Sequence, residues 1–227
     1  MSRWALVPLK ARQLGKSRLA GLLDAAGRAE LVNAMLDQVL SALAAAREID
    51  HVAVVTGEPA RLPAGVLALP DAGRGLNAAL GDGAAMLQAL GASELLIVHA
   101  DLPGVQAGDI DRFVRAGRPA GMALAADRHG SGTNALLIGG AAGFPVSGFP
   151  FAFGPHSLAR HLAAARARGL SPALPRIGGL ALDIDTPDDL ACLTAPAVGT
   201  AAFASPSSPL LAQPTASRRT MPCLTAS

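Results

Sequence analysis

Cysteine, lysine and long apolar runs are all scarce in this chain of 227 residues. Cys192 and Cys223 are the only cysteines, too few for a disulfide framework, so the sequence predicts a protein of the reducing cytoplasm. No run reaches about 18 consecutive apolar residues, so we expect no membrane-spanning helix and no membrane partner. The N-terminus enters strand-like sequence at once, without the charged and apolar regions that are typical of a secretion signal.

The part of the chain that is expected to fold has no excess of positive charge. All 17 acidic residues lie at or before Asp189, whereas Arg218 and Arg219 lie close to the C-terminus. Residues 1–194 therefore carry as many acidic as basic side chains. A neutral body without a basic stripe argues against a dedicated nucleic-acid binder.

Composition divides the chain into a body and a tail. With 51% hydrophobic residues, the chain is long enough for one globular domain with a sizeable core, which we assign to residues 1–194. Residues 195–227 are rich in Ala, Pro, Ser and Thr, a composition that predicts a low-complexity, disordered tail.

Apolar strand-like runs alternate with helical patterns along the body. The predicted strands are residues 3–7, 51–56, 66–69, 95–99, 122–125, 135–138 and 180–184. The predicted helices are residues 25–46, 76–90, 110–115 and 157–168, and a last one that starts at Thr186 with Pro187 in its first position. Alternating β and α elements predict an α/β fold with a doubly wound, Rossmann-like, mostly parallel sheet, whose ligands bind beyond the carboxyl ends of the strands.

Both lysines of the chain, Lys10 and Lys16, follow the first predicted strand, together with Arg12 and Arg18. A loop that leaves a strand in such a sheet can grip phosphate, and the compact ammonium of lysine serves that role differently from arginine. We therefore predict a phosphate-binding loop, with a solvated basic turn as the alternative.

The same loop resembles the end of a Walker A motif, because Lys16 stands between Gly15 and Ser17. The complete motif requires a glycine at position 10, where this chain has lysine, so its backbone cannot wrap a phosphate in the usual way. A P-loop NTPase stays a weaker alternative.

Three aspartates follow or end predicted strands. Asp101 comes just after an apolar run, and Asp183 and Asp185 alternate with apolar residues in the last predicted strand, so the last two are expected on one face. Carboxylates from two strands suit Mg²⁺ that carries nucleotide phosphates. The alternative is that these aspartates cap a helix and a turn.

Three glycine-containing segments offer further ligand contacts. Residues 128–134 enter a strand and residues 153–157 enter a helix, so the amides and hydroxyls of both segments can approach an anion. An ordinary turn explains the first segment equally well, and an ordinary helix cap explains the second. In residues 71–77, Asp71, Gly75 and Asn77 precede or open a helix, and the two polar side chains can read a base edge. That segment is not a G-x-G-x-x-G fingerprint, which disfavours a nicotinamide dehydrogenase.

Several other chemistries lack their sequence pattern. His156 and His161 are five residues apart, which does not place them together on a helix face, and the cysteines have no metal-ligand spacing. The chain also lacks the G-x-S-x-G elbow of serine hydrolases.

Taken in order, the segments LVPLK, GKSRLA, DAGRGLNAAL, HADLP, GSGTNALLI, FGPHS and LDIDTPDDL resemble the 2-phospho-L-lactate guanylyltransferase family. The resemblance covers about residues 3–194, and GTNALL and DIDTPDDL are its most specific parts. It implies the nucleotide-diphospho-sugar-transferase-like fold and transfer of GMP from GTP to a phosphorylated three-carbon acid, with release of pyrophosphate, in coenzyme F-420 biosynthesis. Members use 2-phospholactate, phosphoenolpyruvate or 3-phosphoglycerate.

The resemblance also implies roles for individual residues. Thr133, Gly154 and Ser157 match the positions that hold the acid, and Asp101, Asp183 and Asp185 match the Mg²⁺ region. Lys10, Lys16 and Arg18 match both the catalytic positions and the positions that bind the nucleotide phosphates. Asp101 matches a catalytic position as well. The expected partners are GTP and a small phosphorylated carboxylic acid, with a homodimer as a possible assembly and a downstream transferase as the consumer of the product. Residues 139–152 form a longer stretch than the family usually has, which leaves the acid's identity open.

Elementary chemistry agrees with this interpretation. The nucleophile would be the acid's own phosphate, which is mostly dianionic at neutral pH because its second pKa is about 6. No protein base is then needed, and cations relieve the repulsion between two polyanions. The alternatives are a molybdopterin or sugar nucleotidyltransferase of the same fold, a P-loop-like NTPase, and a non-catalytic GTP-binding regulator.

We predict that truncation after Pro196 leaves the melting temperature and the turnover rate unchanged. The tail's composition cannot bury enough apolar surface to offset the entropy lost on ordering it. Thermal denaturation and rate measurements on the truncated and full chains check this, and a large loss of either quantity would show that the tail docks on the body or on a second subunit.

Overall fold

The computed structural model describes residues 1–9, 16–57, 62–140 and 145–194. Its strands are β1 (Ser2–Leu9), β2 (His51–Thr56), β3 (Val66–Pro70), β4 (Ala92–Val98), β5 (Met122–Ala126) and β6 (Thr133–Gly139). Its helices are α1 (Ala25–Ala45), α2 (Leu76–Ala89), α3 (Ala107–Gly117), α4 (Ser157–Arg166), α5 (Gly178–Ala181) and α6 (Pro187–Thr194). Within these ranges, no helix combines the length and the apolar character needed to cross a membrane. Lys10 and the tail lie outside the described residues.

The strands form one sheet in the order β3-β2-β1-β4-β6-β5. Strands β1 to β4 are mutually parallel, whereas β6 runs antiparallel to β4 and to β5. The predicted doubly wound, mostly parallel α/β sheet is confirmed. Because β6 is reversed, its first residues lie at the edge where the parallel strands end, and Ala135 pairs with Val98.

The sheet is buried on both faces, as its continuous apolar strands predict. Alternate side chains of β1 show the division, since Ala5 and Val7 pack in the core that α1 and α3 cover, whereas Leu6 packs in the core that α2 covers. Met35 and Val39 bury the inner stripe of α1 against the first of these cores.

The last helix begins as the sequence predicts. Thr186 and Asp189 form a reciprocal cap, in which the Thr186 backbone N–H donates to Asp189 Oδ2 at 2.7 Å and the Asp189 N–H donates to Thr186 Oγ1 at 3.3 Å. The Asp185 N–H also donates to Asp189 Oδ2, at 3.0 Å. The cap therefore fixes the backbone that carries Asp185.

The predicted strand at residues 180–184 is wrong. Gly178–Ala181 form the short helix α5, and the residues that follow do not join the sheet. Leu180 and Ile184 are fully buried because the segment packs against the core beside α3, which produces the same apolar pattern as a strand. Its backbone is held by a side chain, since Asn134 Nδ2 donates to two carbonyl oxygens of the segment at 3.0 and 3.3 Å.

We expect Gly117→Ala to destabilise the fold by about 1–3 kcal/mol, because its Cβ would lie 2.7 Å from both Ala123 Cβ and Leu137 Cδ2. Gly117 has ordinary helical φ and ψ, so backbone strain does not contribute to the effect. The loss of stability therefore measures only the lack of space for a methyl group between α3 and the sheet. Gly81→Ala in α2 is the matched control. It has no atom within 4 Å of the new Cβ and should stabilise by up to about 1 kcal/mol. Denaturant unfolding compares them, and equal effects would contradict this packing.

Candidate active site

The predicted functional residues that the structure describes gather mainly at the sheet edge where β1 and β4 end and β6 begins. Asp101 follows β4 by three residues. The Ile184 N–H donates to the Asp101 carbonyl oxygen at 3.3 Å, so the segment that carries Asp183 and Asp185 lies against the same edge. The two aspartates therefore reach the site without the strand geometry that was predicted for them.

Lys16 joins two of the three predicted carboxylates. Its Nζ lies 2.6 Å from Asp101 Oδ2 and 2.7 Å from Asp185 Oδ1. The Lys16 side chain is only 8% exposed, so both contacts are largely shielded from water, although Asp185 is half-exposed. Residues far apart in the chain thus meet in one ion-paired group.

The backbone at Lys16 has an uncommon conformation that directs this side chain inward. Its φ of 56° and ψ of 38° lie in the left-handed region, which residues other than glycine seldom adopt. A 3₁₀ turn (Ser17–Leu19) follows, in which the Leu19 N–H donates to the Lys16 carbonyl oxygen at 2.9 Å and Leu19 is fully buried. Arg18, in the same turn, is exposed to solvent.

Opposite charge keeps Lys16 and Asp101 ionised despite burial. Burial lowers the pKa of Lys16, but the charges of Asp101 and Asp185 outweigh it and leave that pKa raised. Burial likewise raises the pKa of Asp101, but Lys16, and next His99, outweigh it and leave that pKa lowered. The pair is an ammonium and a carboxylate at neutral pH.

Asp183 adds negative charge that Lys16 does not contact. Burial, and next the charge of Asp101, raise its pKa, while a hydrogen bond from Asn134 Nδ2 to Asp183 Oδ1 at 3.2 Å opposes the shift. Among the residues that the structure describes, one ammonium therefore stands beside three carboxylates. The described part of this edge has a surplus of negative charge.

The donor set of this edge fits a hard cation such as Mg²⁺. Asp101 Oδ1 is buried without a hydrogen-bond partner, so an anionic oxygen remains for a ligand. Among the described residues, no three His, Cys, Asp or Glu side chains are already grouped as metal ligands. The Lys16 ammonium stands between Asp101 and Asp185, where a cation would otherwise meet both.

The predicted acid-binding residues come together beside this edge. Thr133 opens β6 and Ser157 opens α4, and each is 2% exposed. The Leu158 N–H donates to the Ser131 carbonyl oxygen at 3.1 Å, which joins the start of α4 to the loop before β6. Gly154 has a φ of 114°, a conformation that favours glycine.

The loop before β6 uses its amides internally. The N–H groups of Ser131 and Gly132 donate to the Asp127 carboxylate at 2.9 and 2.8 Å. These two amides therefore close a turn, the alternative that the sequence left open for this loop. Thr133, just after the turn, carries the polar group that remains for a ligand.

The segment that was predicted to read a base lies at the start of α2. Asp71 Oδ1 accepts from the Gly73 N–H at 2.8 Å, and Gly75 is the residue before the helix. Both ends of the Asn77 amide bind the backbone of Phe153, at 3.1 and 2.7 Å. Asn77 therefore holds the segment before α4, a contact that differs from the predicted one. The nucleotide-binding roles of Asp71, Gly75 and Asn77 stay predictions.

The long stretch at 139–152 supplies an aromatic wall in its described part. Phe149 and Phe151 are buried, with ring centroids 5.6 Å apart, and Phe149 lies 6.1 Å from the ring of His161. Phe153 contacts the same imidazole at 4.6 Å. The wall thus packs against α4 at His161.

Sequence reasoning missed three residues of this site: His99, Asn134 and His161. His99 Nε2 is buried without a hydrogen-bond partner, and its ring lies 5.0 Å from that of Phe153. Its position at the carboxyl end of a predicted strand was the available signal. Asn134 and His161 bind other site residues by contacts between distant segments, for which the sequence carries no local signal.

The chain matches the family described as Guanylyl transferase CofC like over residues 3–203. It is 45% identical to a phosphoenolpyruvate guanylyltransferase of Sphaerobacter thermophilus, covering 84% of this chain and 91% of the relative. It is 40% identical to a protein of the same name from Rhodococcus erythropolis, covering 88% and 94%.

Solved structures share the fold. A putative nucleotide-diphospho-sugar transferase from Desulfovibrio desulfuricans aligns with a TM-score of 0.69 at 17% identity, over 85% of this chain and 87% of that chain. A CMP:2-keto-3-deoxy-manno-octonic acid synthetase complexed with CTP aligns with a TM-score of 0.56 at 14% identity, over 85% and 97%. The predicted fold and family are therefore confirmed, and the chain belongs to the guanylyl transferase CofC-like family.

Proposed function

We propose that the protein transfers the GMP unit of GTP to the phosphate of a small phosphorylated three-carbon acid and releases pyrophosphate. The curated relatives carry the name phosphoenolpyruvate guanylyltransferase, so phosphoenolpyruvate is the first acid to test, followed by 2-phospholactate and 3-phosphoglycerate. Together with the family resemblance, this proposal assigns the reaction to coenzyme F-420 biosynthesis in the cytoplasm. One observation carries it: at one sheet edge, Lys16 binds two of three neighbouring carboxylates beside two buried hydroxyls.

The proposed step balances without a protein base. An oxygen of the acid's phosphate bonds to the α-phosphorus of GTP, and the bond from that phosphorus to the bridging oxygen breaks, so that pyrophosphate leaves with the electron pair. The attacking phosphate is already anionic at neutral pH, so no proton must be removed. What the protein must supply is alignment and positive charge.

The carboxylates of Asp101, Asp183 and Asp185 would hold Mg²⁺ in this proposal. When bound, the ion supplies charge that offsets the phosphates of GTP and the leaving pyrophosphate. Lys16 contributes its ammonium beside the same carboxylates. Lys10 and Arg18 are proposed to add positive charge to the nucleotide phosphates.

The acid side works by different contacts. Thr133 and Ser157 offer hydroxyl groups, and Ser157 stands in the first turn of α4, where the helix dipole favours an anion. Such contacts orient an anion by hydrogen bonds more than they neutralise it.

The test is to incubate the protein with GTP, Mg²⁺ and each of the three acids, and to weigh the products. The proposal predicts an acid-dependent GMP adduct and pyrophosphate. Two sets of substitutes test for the activity of other nucleotidyltransferases of this fold. CTP, UTP or ATP replaces GTP in one set, and molybdopterin or a sugar phosphate replaces the acid in the other. Orthophosphate without an acid would instead support an NTPase, and GTP binding without turnover a regulator.

We expect Asp101→Asn to lower the turnover rate by at least about 100-fold while the chain stays folded. The change preserves size but removes charge from the centre of the proposed cation site. Circular dichroism checks the fold and steady-state rates check activity. Asp82→Asn is the control, because Asp82 pairs with Arg74 on the exposed face of α2. Wild-type-like activity of Asp101→Asn would reject the metal assignment.

Lys16 and Mg²⁺ are expected to compete for the same carboxylates. Lys16→Met leaves Asp101 and Asp185 without their ammonium. We expect it to lower the free energy of unfolding in EDTA by about 2 kcal/mol, a value between those typical of surface and of buried ion pairs. Mg²⁺ alone should then raise the melting temperature of Lys16→Met more than that of the wild type. Arg74→Met, which breaks an exposed ion pair, serves as the control. Equal Mg²⁺ effects on all three proteins would contradict the competition.

Ser157→Ala and Thr133→Ala should each weaken acid binding by roughly 1–3 kcal/mol and leave the GTP requirement nearly unchanged. Each change removes one buried hydroxyl from the acid side. Titrations of the acid and of GTP measure the two affinities, and Ser147→Ala, at a half-buried serine that donates to Gln88, is the control. If both variants lose affinity for GTP and keep it for the acid, the two substrates have been assigned the wrong way round.

A further inference from the structure

His161 is fully buried on the inner side of α4, and both of its ring nitrogens have partners. The Ala152 backbone N–H lies 2.9 Å from Nε2, and Thr133 Oγ1 lies 3.0 Å from Nδ1. The rings of Phe149 and Phe153 surround the imidazole and shield it from water. The histidine is therefore held at both nitrogens.

The partner of Nε2 determines which nitrogen carries the proton. A backbone N–H can only donate, so Nε2 must offer its lone pair to Ala152. In a neutral imidazole the proton then resides on Nδ1. Burial, and next the positive charge of Arg160, lower the pKa of His161 to about 4, so the ring is neutral near pH 7.

The proton on Nδ1 in turn determines how Thr133 is used. Nδ1–H donates to Thr133 Oγ1, which therefore acts as the acceptor in this contact. The hydroxyl hydrogen of Thr133 is then directed away from His161, although a free hydroxyl would rotate to suit any partner. A donor fixed in this way suits an anionic oxygen of the ligand.

We infer that His161 is a positioning residue that orients the Thr133 hydroxyl as a hydrogen-bond donor to the anionic oxygens of the acid substrate. This inference rests on the proposed function, because it takes Thr133 as an acid-binding residue. His161 itself does not touch the substrate. Its effect is to remove the rotational freedom of a group that must meet a phosphate or carboxylate in one orientation.

Two substitutions separate the two hydrogen bonds of His161. Asparagine places its amide nitrogen near the position of Nδ1, so His161→Asn can still donate to Thr133 but loses the bond from Ala152. Glutamine reaches the position of Nε2, so His161→Gln can accept from Ala152 but loses the donor to Thr133. A merely structural histidine would not distinguish the two variants in this way.

We expect His161→Gln to raise the KM for the acid by about tenfold and to leave the KM for GTP unchanged. His161→Asn should keep an acid KM close to that of the wild type, even if its melting temperature falls. In a Thr133→Val background, His161→Gln should have no further effect on the acid KM. Nuclear magnetic resonance of ¹⁵N-histidine-labelled protein should show the Nδ1–H form of His161, a readout that needs no substrate.

An Nε2–H form of His161, or an acid KM that His161→Gln leaves unchanged while the wild type turns over, would overturn this inference and leave the proposed function standing. Parallel rises in the KM values for the acid and for GTP in both variants would also overturn it, because they indicate a general structural role. Absence of acid-dependent turnover by the wild type rejects the proposed function, and this inference with it.

Discussion

The structure depends on holding three carboxylates together at one sheet edge. Asp101, Asp183 and Asp185 repel one another, and the raised pKa of Asp183 is a consequence of burial and of that repulsion. Lys16 offsets part of it by binding Asp101 and Asp185 directly. The left-handed backbone at Lys16 and the cap that fixes Asp185 both serve this contact. A site that concentrates negative charge in this way is suited to cations and to the phosphates that cations carry.

The reversed strand β6 explains why two chemically different subsites adjoin. It starts at the edge where β1 and β4 end, so Thr133 and Asn134 enter the site together. The register between β5 and β6 shifts at this point, which interrupts the regular alternation of side chains. Thr133 meets His161 on the face that α4 covers, and Asn134 meets Asp183 on the face beside α3. In the proposed function, one subsite works through charge and the other through oriented hydrogen bonds.

The sequence predicted what local pattern determines and missed what distant contacts determine. Strand β2 and the cap at Thr186 agree with prediction because a continuous apolar run and capping chemistry are both local signals. Residues 180–184 were mistaken for a strand because a buried irregular segment is as apolar as a strand. Likewise, only the fold shows that Asn77 binds the backbone of Phe153 and that His161 meets Thr133.

The central claim is that this edge directs attack at the α-phosphorus of a nucleotide, and the fate of a phosphate label tests it most directly. The protein would be incubated with Mg²⁺, phosphoenolpyruvate and GTP labelled with ³²P at either the α- or the γ-phosphate. We expect the α-label to enter the acid-dependent product and the γ-label to leave as pyrophosphate. Release of the γ-label as orthophosphate, without any requirement for the acid, would contradict it.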